Sequence, residues 1–481
     1  MEPVDVTSQS LGDLCKVCAE YRQNSPHPSR PLVPKLVDSS VWLRMHSLFQ
    51  TLSLRLEQAD GSGVVAQCSE ALECLCIFVR NAAAMEKANQ IAASEYEIVN
   101  DVKATIVAMA ARELECAEAM RCGTVAAQAL SNLVTGNKQL QQELMENELL
   151  TSDDAKDSVY WHLLSSISSK TSMAGLVLLL NSIKGNSELV QHLCSTDKGK
   201  LVAQKIGRMF GDNEDDESEA KTILYVLLAQ FIETGCLANL LSEAPTLDMF
   251  GLVEALAVYC NEAKDHKAIL DAAGGYTLLL SLSSILKSVH KVLEGVWDRK
   301  SADSSGSGIE TDRLVSTHRA MSATLSALGS LTTDCSAETT DQMIRSEVLH
   351  RVVELLGLLN KHLPRIESAS AQQSKTSDSA SEDTASKQLF MFKRDLIRII
   401  GNLAHRHTAA QNLIRDLDGL ALVLDHMKID DNHPFIKEYA IVALNSLMQD
   451  NAENQEFIRK MDDRGVAAPD QNSKLAFQGL I

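Results

Sequence analysis

The chain has 481 residues, 45% of them hydrophobic, with 4% aromatics, nine prolines and eleven cysteines. That length implies several domains or one extended repeat array, and a composition rich in Leu, Ala, Ser and Glu favours helices over the β-branched and aromatic chemistry of sheets. A formal charge of -19 opposes the phosphate neutralisation behind most nucleic-acid affinity and is repelled by anionic lipid surfaces, so neither nucleic acid nor membrane insertion is expected.

Residues 1–38 carry Pro3, Pro26, Pro28, Pro31 and Pro34 with little sustained periodicity and read as a loosely ordered leader. The opening MEPVDVTSQS has no basic region ahead of an apolar core, and no apolar run approaches the roughly 18 to 20 residues of a membrane span, so a cytoplasmic chain is expected. Cys15 and Cys18 have C-x-x-C spacing, without a second pair or a nearby histidine cluster. No metal and no cofactor is therefore expected. Cys68, Cys74, Cys76, Cys236 and Cys260 stand in apolar stretches, as reduced cysteines do.

From Val41 a helical period runs to about Leu363, which places armadillo-like repeats over 39–365. Two polar breaks interrupt it: GDNEDDESE at 211–219 reads as a solvated loop and SADSSGSG at 301–308 as a flexible one. Residues 366–388 read as a disordered Ser-rich linker. From Glu367 onward they contain no large apolar residue, and their seven serines make them a candidate for phosphorylation. A C-terminal helical repeat domain is expected over 389–466, with a tail at 467–481. Within it Leu389, Phe392, Leu396, Ile399, Ile400 and Leu403 share one helix face, Lys393, Arg394 and Arg398 take the other side, and Pro434 restarts the chain with Phe435, Ile436, Tyr439, Ala440, Ala443, Leu444 and Leu447.

This last block is one unit repeated. A shift of 44 residues places Phe392 on Ile436, Leu396 on Ala440, Ile400 on Leu444, Leu403 on Leu447, Gln411 on Gln455 and Ile414 on Ile458. Asn402 then falls on Ser446, each followed nine positions later by glutamine. The same Asn/Ser-x8-Gln device recurs upstream as Asn81 with Gln90, Asn132 with Gln141 and Ser182 with Gln191. Periods of this size identify an all-α helical solenoid of the armadillo or HEAT type. In such a stack Gly401 lets backbones approach closely, and the asparagine at the helix end bonds exposed backbone groups of the adjoining turn.

The tetrads LSNL (130–133) and IGNL (400–403), with Gly419 downstream, resemble the A-L-x-N-L and following glycine of armadillo repeats. In peptide-binding members that asparagine lines a concave groove with a tryptophan one turn earlier. Here Arg398 precedes Asn402 by four and Gln128 precedes Asn132 by four, and Trp42, Trp161 and Trp297 lie elsewhere. The asparagines are therefore read as structural. The stretch LIRIIGNLAHRHTAAQNL…LDGLALVLDHMKIDDNHPFIKEYAIVALNSLMQDNAENQEFI resembles the conserved C-terminal domain of the ataxin-10 family, and FVRNAAAMEKANQ at 78–90 resembles its upstream region. The resemblance implies a cytoplasmic armadillo-like scaffold that acts through protein partners, forms a homo-oligomer, and serves cytokinesis, cilium formation and neuronal process growth or survival.

No G-x-S-x-G, P-loop, G-x-G-x-x-G or H-E-x-x-H occurs, and His405 and His407, two apart on a helix, would point away from each other. No enzyme is expected. The alternative is an armadillo-like regulator of a GTPase, an exchange factor or chaperone. Phe435 and Tyr439, spaced i and i+4, are the candidate interaction residues, with Ile436 expected in the core.

Overall fold

The computed structural model describes residues 37–463, apart from 85, 150–157, 244–248, 264, 272–273, 301–307, 364–379, 429, 431–432 and 434. The expected leader and tail, Cys15 and Cys18, Pro434 and nearly all of the 301–308 loop lie outside the described residues.

Among the described residues the chain forms twenty-three helices and no strand. The first nine are α1 (Ser39–Glu57), α2 (Ser62–Ala83), α3 (Lys87–Glu95), α4 (Ile98–Ala110), α5 (Ala117–Val134), α6 (Lys138–Leu149), α7 (Val159–Leu164), α8 (Ser169–Ile183) and α9 (Ser187–Ser195). Helices α10 (Asp197–Asp212) and α11 (Glu219–Glu233) flank an acidic loop at 213–218, where the polar break was expected. There follow α12 (Cys236–Glu243), α13 (Phe250–Glu262), α14 (His266–Asp271), α15 (Gly275–Lys300), α16 (Gly308–Leu331), α17 (Ala337–Arg345) and α18 (Val348–His362). The last five are α19 (Ala380–Ala404), α20 (Thr408–Asp416), α21 (Gly419–Asp425), α22 (Ile436–Met448) and α23 (Ala452–Asp463).

The chain divides into two compact units, Met1–Ile206 with Asp215–Gln230, and Gly207–Glu214 with Phe231–Ile481. In the first unit long helices stack as α2 on α5 on α8, and α1, α4 and α7 stack as a second ladder beside them. In the second unit α13, α16, α19 and α22 form one ladder and α12, α15, α18 and α21 another, while the short helices α17, α20 and α23 turn the chain between them. Each helix of a repeat thus buries its apolar stripe against the same helix of the next repeat, which defines an armadillo-like all-α solenoid. Trp42, Phe49, Leu72, Val79, Leu130, Leu227, Leu256, Leu328, Leu396, Ile400 and Leu447 are at most 1% exposed. Each such side chain contributes about 1.5 to 3 kcal/mol by leaving water. The average apolarity of α2 reaches the level of a membrane-crossing helix, but 56% of its most apolar stretch is buried within the unit, as in a core helix.

Four long helices, α5, α8, α19 and α22, stop by the same device. A residue in the left-handed conformation follows, then a polar residue that caps the next short helix: Gly136 (φ 71) and Asn137, Gly185 (φ 74) and Asn186, Arg406 (φ 53) and His407, Asp450 (φ 53) and Asn451. The caps are made by side chains, since Asn186 Oδ1 accepts from Leu189 N at 3.3 Å, His407 Nδ1 from Ala410 N at 3.2 Å and Asn451 Oδ1 from Asn454 N at 3.0 Å. HRHTAA is therefore more than a solvated turn: His405 and Arg406 are exposed, while His407 caps α20 and its Nε2 lies 3.2 Å from Asp341 Oδ1.

Three expectations are corrected here. The Ser-rich linker was expected to run to 388, but α19 begins at Ala380. Glu382 and Asp383 suit a helix N-terminus, and Ala, Lys and Gln extend the strongly amphipathic helix that follows; residues 366–379 lie outside the described ones. Residues 389–466 were expected to form a C-terminal repeat domain of their own, meeting either the preceding repeats or another chain. They instead share the second unit with 231–363, because α19 packs on both α16 and α18 and so covers the open end of the preceding repeats. Finally, Lys393 was placed on the side of its helix opposite the apolar face, yet it is 1% exposed with Nζ donating to Leu363 O at 2.5 Å, since α19 packs on α16, α18 and α22 and so has neighbours on more than one side.

Candidate functional site: the groove between α19 and α22

The repeat-signature residues separate into stitching and non-stitching members. Asparagines reach back to the preceding long helix: Asn132 Nδ2 donates to Arg80 O at 2.8 Å and Asn402 Nδ2 to Thr332 Oγ1 at 3.2 Å. Glutamines reach forward to the following one. Gln90 Nε2 donates to Asn132 O at 2.9 Å and Thr135 O at 3.1 Å, Gln141 Nε2 to Asn181 O at 2.7 Å, and Gln411 Nε2 to Ser446 O at 2.9 Å and Gln449 O at 3.1 Å. Gln90, Gln411 and Gln455 also bond the carbonyl seven residues back, at Ala83, Ala404 and Met448, and so satisfy the exposed end of the helix just completed. Asn89 and Asn454 do the same for Ala82 and Leu447, a pattern the sequence reading missed although Asn-Gln pairs at 89–90 and 454–455 display it.

Two members depart from this arrangement. Asn81 is half-buried and accepts from the neighbouring Arg80 Nε at 3.4 Å, without reaching another helix. The Ser182 and Gln191 pair is out of register by one residue, since Gln191 is exposed while Asn181 fills the asparagine position, its Nδ2 donating to Ser131 Oγ at 2.8 Å. Nine residues after Asn181 stands Val190, an apolar residue 1% exposed, at the position that glutamine holds elsewhere. Ser182 is wholly buried, donates to Leu178 O and accepts from Tyr160 Oη, both at 2.8 Å.

On the second unit α19 and α22 converge to a line of contact and then part, leaving a groove of about 750 Å³. The contact is at Gly401, where a Cβ would lie 2.9 Å from Ala443 Cα and 3.0 Å from Ala443 Cβ, so glycine sets how closely the helices approach. Helix α19 contributes Met391, Arg394, Ile397, Arg398 and Asn402 at helical spacing, and the chain entering α22 contributes His433, Phe435, Glu438, Tyr439 and Val442. Phe435 is 67% exposed, Val442 63% and Tyr439 37%, whereas Ile436, one residue from Phe435, is 1% exposed in the core. The two candidate interaction residues thus stand on one rim, and Val442 and Met391 extend the apolar lining.

The polar lining is under-used. Arg394 donates to Asp395 Oδ1 from Nε at 3.0 Å and Nη2 at 2.9 Å, and its guanidinium carbon lies 6.0 Å from the Tyr439 ring centre. The Arg398 guanidinium lies directly over Gly329, in the space a Cβ would take, and its buried Nε has no hydrogen-bond partner among the described residues. His433 is 3% exposed, and both of its ring nitrogens are buried without a partner among the described residues. Burial holds the His433 imidazole below the usual histidine range, with its own backbone, Asp430 and Asp395 opposing and Arg394 adding to the effect, so the ring is neutral at physiological pH. Sequence reasoning noted Arg394 and Arg398 on the side of the helix away from its apolar face, and Arg398 again four residues before Asn402, but passed over His433. Their spacing of four and the position of Arg398 one turn before Asn402 were the available signals.

A second groove, about 620 Å³, lies on the first unit among α5, α8 and the start of α11. Its amides are already engaged, with Gln128 Oε1 accepting from Arg80 Nη1 at 2.7 Å and Asn132 and Asn181 stitched as above, and no aromatic residue lines it. Among the described residues no group of three or more His, Cys, Asp or Glu side chains is placed to hold a metal ion.

Stacked helix ladders, side-chain stitches between repeats and a groove along the inner helices define an armadillo-like helical repeat protein. The spinocerebellar ataxia type 10 protein domain matches residues 392–480, so this C-terminal stretch is similar to the domain that marks the ataxin-10 family. Ataxin-10 of Bos taurus is 34% identical over 131 residues, 27% of each chain; that of Homo sapiens is 39% identical over 87 residues, 18% of each; and the Saccharomyces cerevisiae homolog is 46% identical over 83 residues, 17% of this chain and 15% of its own. The matched stretches therefore span about a quarter or less of these relatives. A designed armadillo repeat protein of solved structure aligns with 71% of this chain and 99% of its own at 15% identity and a TM-score of 0.26, and the repeat fold described here rests on the chain's own ladders.

Proposed function

We propose that this protein is a non-enzymatic scaffold that binds protein partners, including a second copy of itself, through the groove between α19 and α22. The observation that carries the reading is the exposed apolar rim of Phe435, Tyr439 and Val442, standing within the stretch that matches the ataxin-10 domain. Exposed aromatics beside a concave apolar surface are the usual anchors of a protein interface. A net charge of -19 argues for protein rather than nucleic-acid or lipid partners. Likeness to the ataxin-10 family supports a cytoplasmic role in cytokinesis, cilium formation and neuronal process growth or survival, roles that are part of the proposal.

The test is a Phe435→Ala, Tyr439→Ala double variant of the full chain. The variant should keep its helical content and melting curve while its mass by light scattering or its recovery of a partner from dividing cells falls about tenfold or more, as expected when hot-spot side chains are truncated. An unchanged assembly state together with normal partner recovery would sink the proposal.

A further inference from the structure

We infer that the groove between α19 and α22 recognises an extended peptide through a single carboxylate side chain, received by Arg398 and His433 and flanked by an apolar residue laid against Phe435 and Tyr439. This deepens the docking reading and rests on it. The starting point is an imbalance of donors. Buried polar atoms in folded proteins nearly always find a partner, and each one left without costs about 1 to 3 kcal/mol. Three such atoms, Arg398 Nε and both ring nitrogens of His433, belong to residues lining this one groove. A guanidinium edge and an imidazole N–H are donors that a carboxylate satisfies with short charge-assisted bonds.

Charge favours a carboxylate over a more highly charged anion. Arg394 already shares its charge with Asp395, which leaves Arg398 as the one lining cation outside that pair, with the carboxylate of Glu438 elsewhere in the same lining. One carboxylate can pair with Arg398, whereas a dianionic phosphate would bring a second negative charge that Glu438 and Asp395 oppose. Neutral His433 fits the same ligand, since one ring nitrogen carries a proton to donate and an incoming negative charge opposes its loss. Asn402 lines the groove but is not counted among the anion donors, because its amide is engaged with Thr332. The apolar part of the lining, Met391, Ile397, Phe435, Tyr439 and Val442, supplies the contact area that a lone anion could not use. A volume of about 750 Å³ is that of a ligand pocket rather than an ion site.

The experiment uses the full chain and a pool of fluorescein-labelled nonapeptides with randomised apolar flanks and a fixed central residue, Glu, Gln or phosphoserine. The Glu pool should bind about tenfold or more tightly than the Gln pool, the discrimination that a charge-assisted pair of hydrogen bonds supplies. Arg398→Met should abolish that difference while leaving the weak binding of the Gln pool in place. In wild-type protein the imidazole nitrogen resonances of His433 should move saturably with the Glu pool and not with the Gln pool, a readout that does not depend on any variant folding. Equal binding of the Glu and Gln pools, an unmoved His433, or full discrimination by a folded Arg398→Met variant would each overturn the inference. Tighter binding of the phosphoserine pool would overturn the carboxylate assignment. If the Phe435→Ala, Tyr439→Ala variant loses its partner while the wild type shows no Glu preference, the anion inference fails and the docking reading stands.

Discussion

Gly401 provides a test of the packing that forms the groove. Replacing it by alanine adds one methyl group at the point where α19 meets α22, 2.9 Å from Ala443 Cα and 3.0 Å from Ala443 Cβ. Ala443 cannot rotate away, because the nearest atom is backbone, so the helices must separate by several tenths of an ångström along a contact that also holds Ile400 and Leu444 in the core. Overpacking of this kind costs about 1 to 3 kcal/mol. Alanine in place of glycine inside a helix returns about 1 kcal/mol, which leaves a net change between about zero and a loss of roughly 2 kcal/mol. Gly357 in α18 is the internal control, since a Cβ there would meet only Leu422 Cδ1 at 3.6 Å, an ordinary contact. Gly357→Ala should therefore stabilise by about 0.5 to 1 kcal/mol. Urea unfolding followed by amide exchange on peptides from 389–463 reads both, because a chain of two units need not unfold in one step. If Gly401→Ala stabilises as much as Gly357→Ala, the close approach of α19 and α22 is wrong.

Three further outcomes follow from particular contacts. Gln411→Ala removes the donor for Ala404, Ser446 and Gln449 and the acceptor for Asn451, and with Asn402→Ala should cost about 1 to 3 kcal/mol by urea unfolding, whereas Gln191→Ala, at an exposed position, should change nothing measurable. Arg406→Gly should raise the melting temperature, contributing about 0.5 to 1 kcal/mol, because a left-handed φ of 53 strains a residue with a Cβ, as Gly185→Ala would show with the opposite sign. Burial holds the imidazoles of His318, His426 and His433 below the ordinary histidine range, so in the unfolded chain they take up protons at higher pH than in the folded one. The second unit should lose stability as pH falls through about 6.5 toward the folded values, and His426→Gln should flatten that dependence in unfolding measured between about pH 7.5 and 5.5. A slope that is flat in the wild type would contradict the burial of these rings.

Helical periodicity was a sound guide to the fold because apolar residues spaced by three and four must share a helix face, and the 44-residue shift carried Phe392 and Ile400 onto Ile436 and Leu444, all now in the core. The stitches were partly visible for the same reason: Asn402 and Gln411 recur at a fixed separation because they bond across a fixed helix-to-helix distance. The upstream register at Ser182 failed by one residue, since the buried Val190 stands where the glutamine was sought and the search was for polar residues. At Gly419 the close packing was not legible in the sequence. The left-handed residue is Asp418 (φ 61), and the glycine is needed because a Cβ there would crowd Ile414 and Val353. The groove was the least legible part, because the burial of His433 and the isolation of Arg398 arise only when α19 and α22 are brought together, and no local pattern marks a donor that will lack a partner.

The central claim, that the inner groove of the second unit is the docking surface, is tested most directly by amide exchange of the full chain with and without its bound partner. The account predicts slowed exchange on binding in peptides covering 391–402 and 435–443, with little change in the groove lined by Asn132 and Asn181 on the first unit. Protection confined to that first groove or to the outer helices, with 391–402 and 435–443 unchanged, would contradict it.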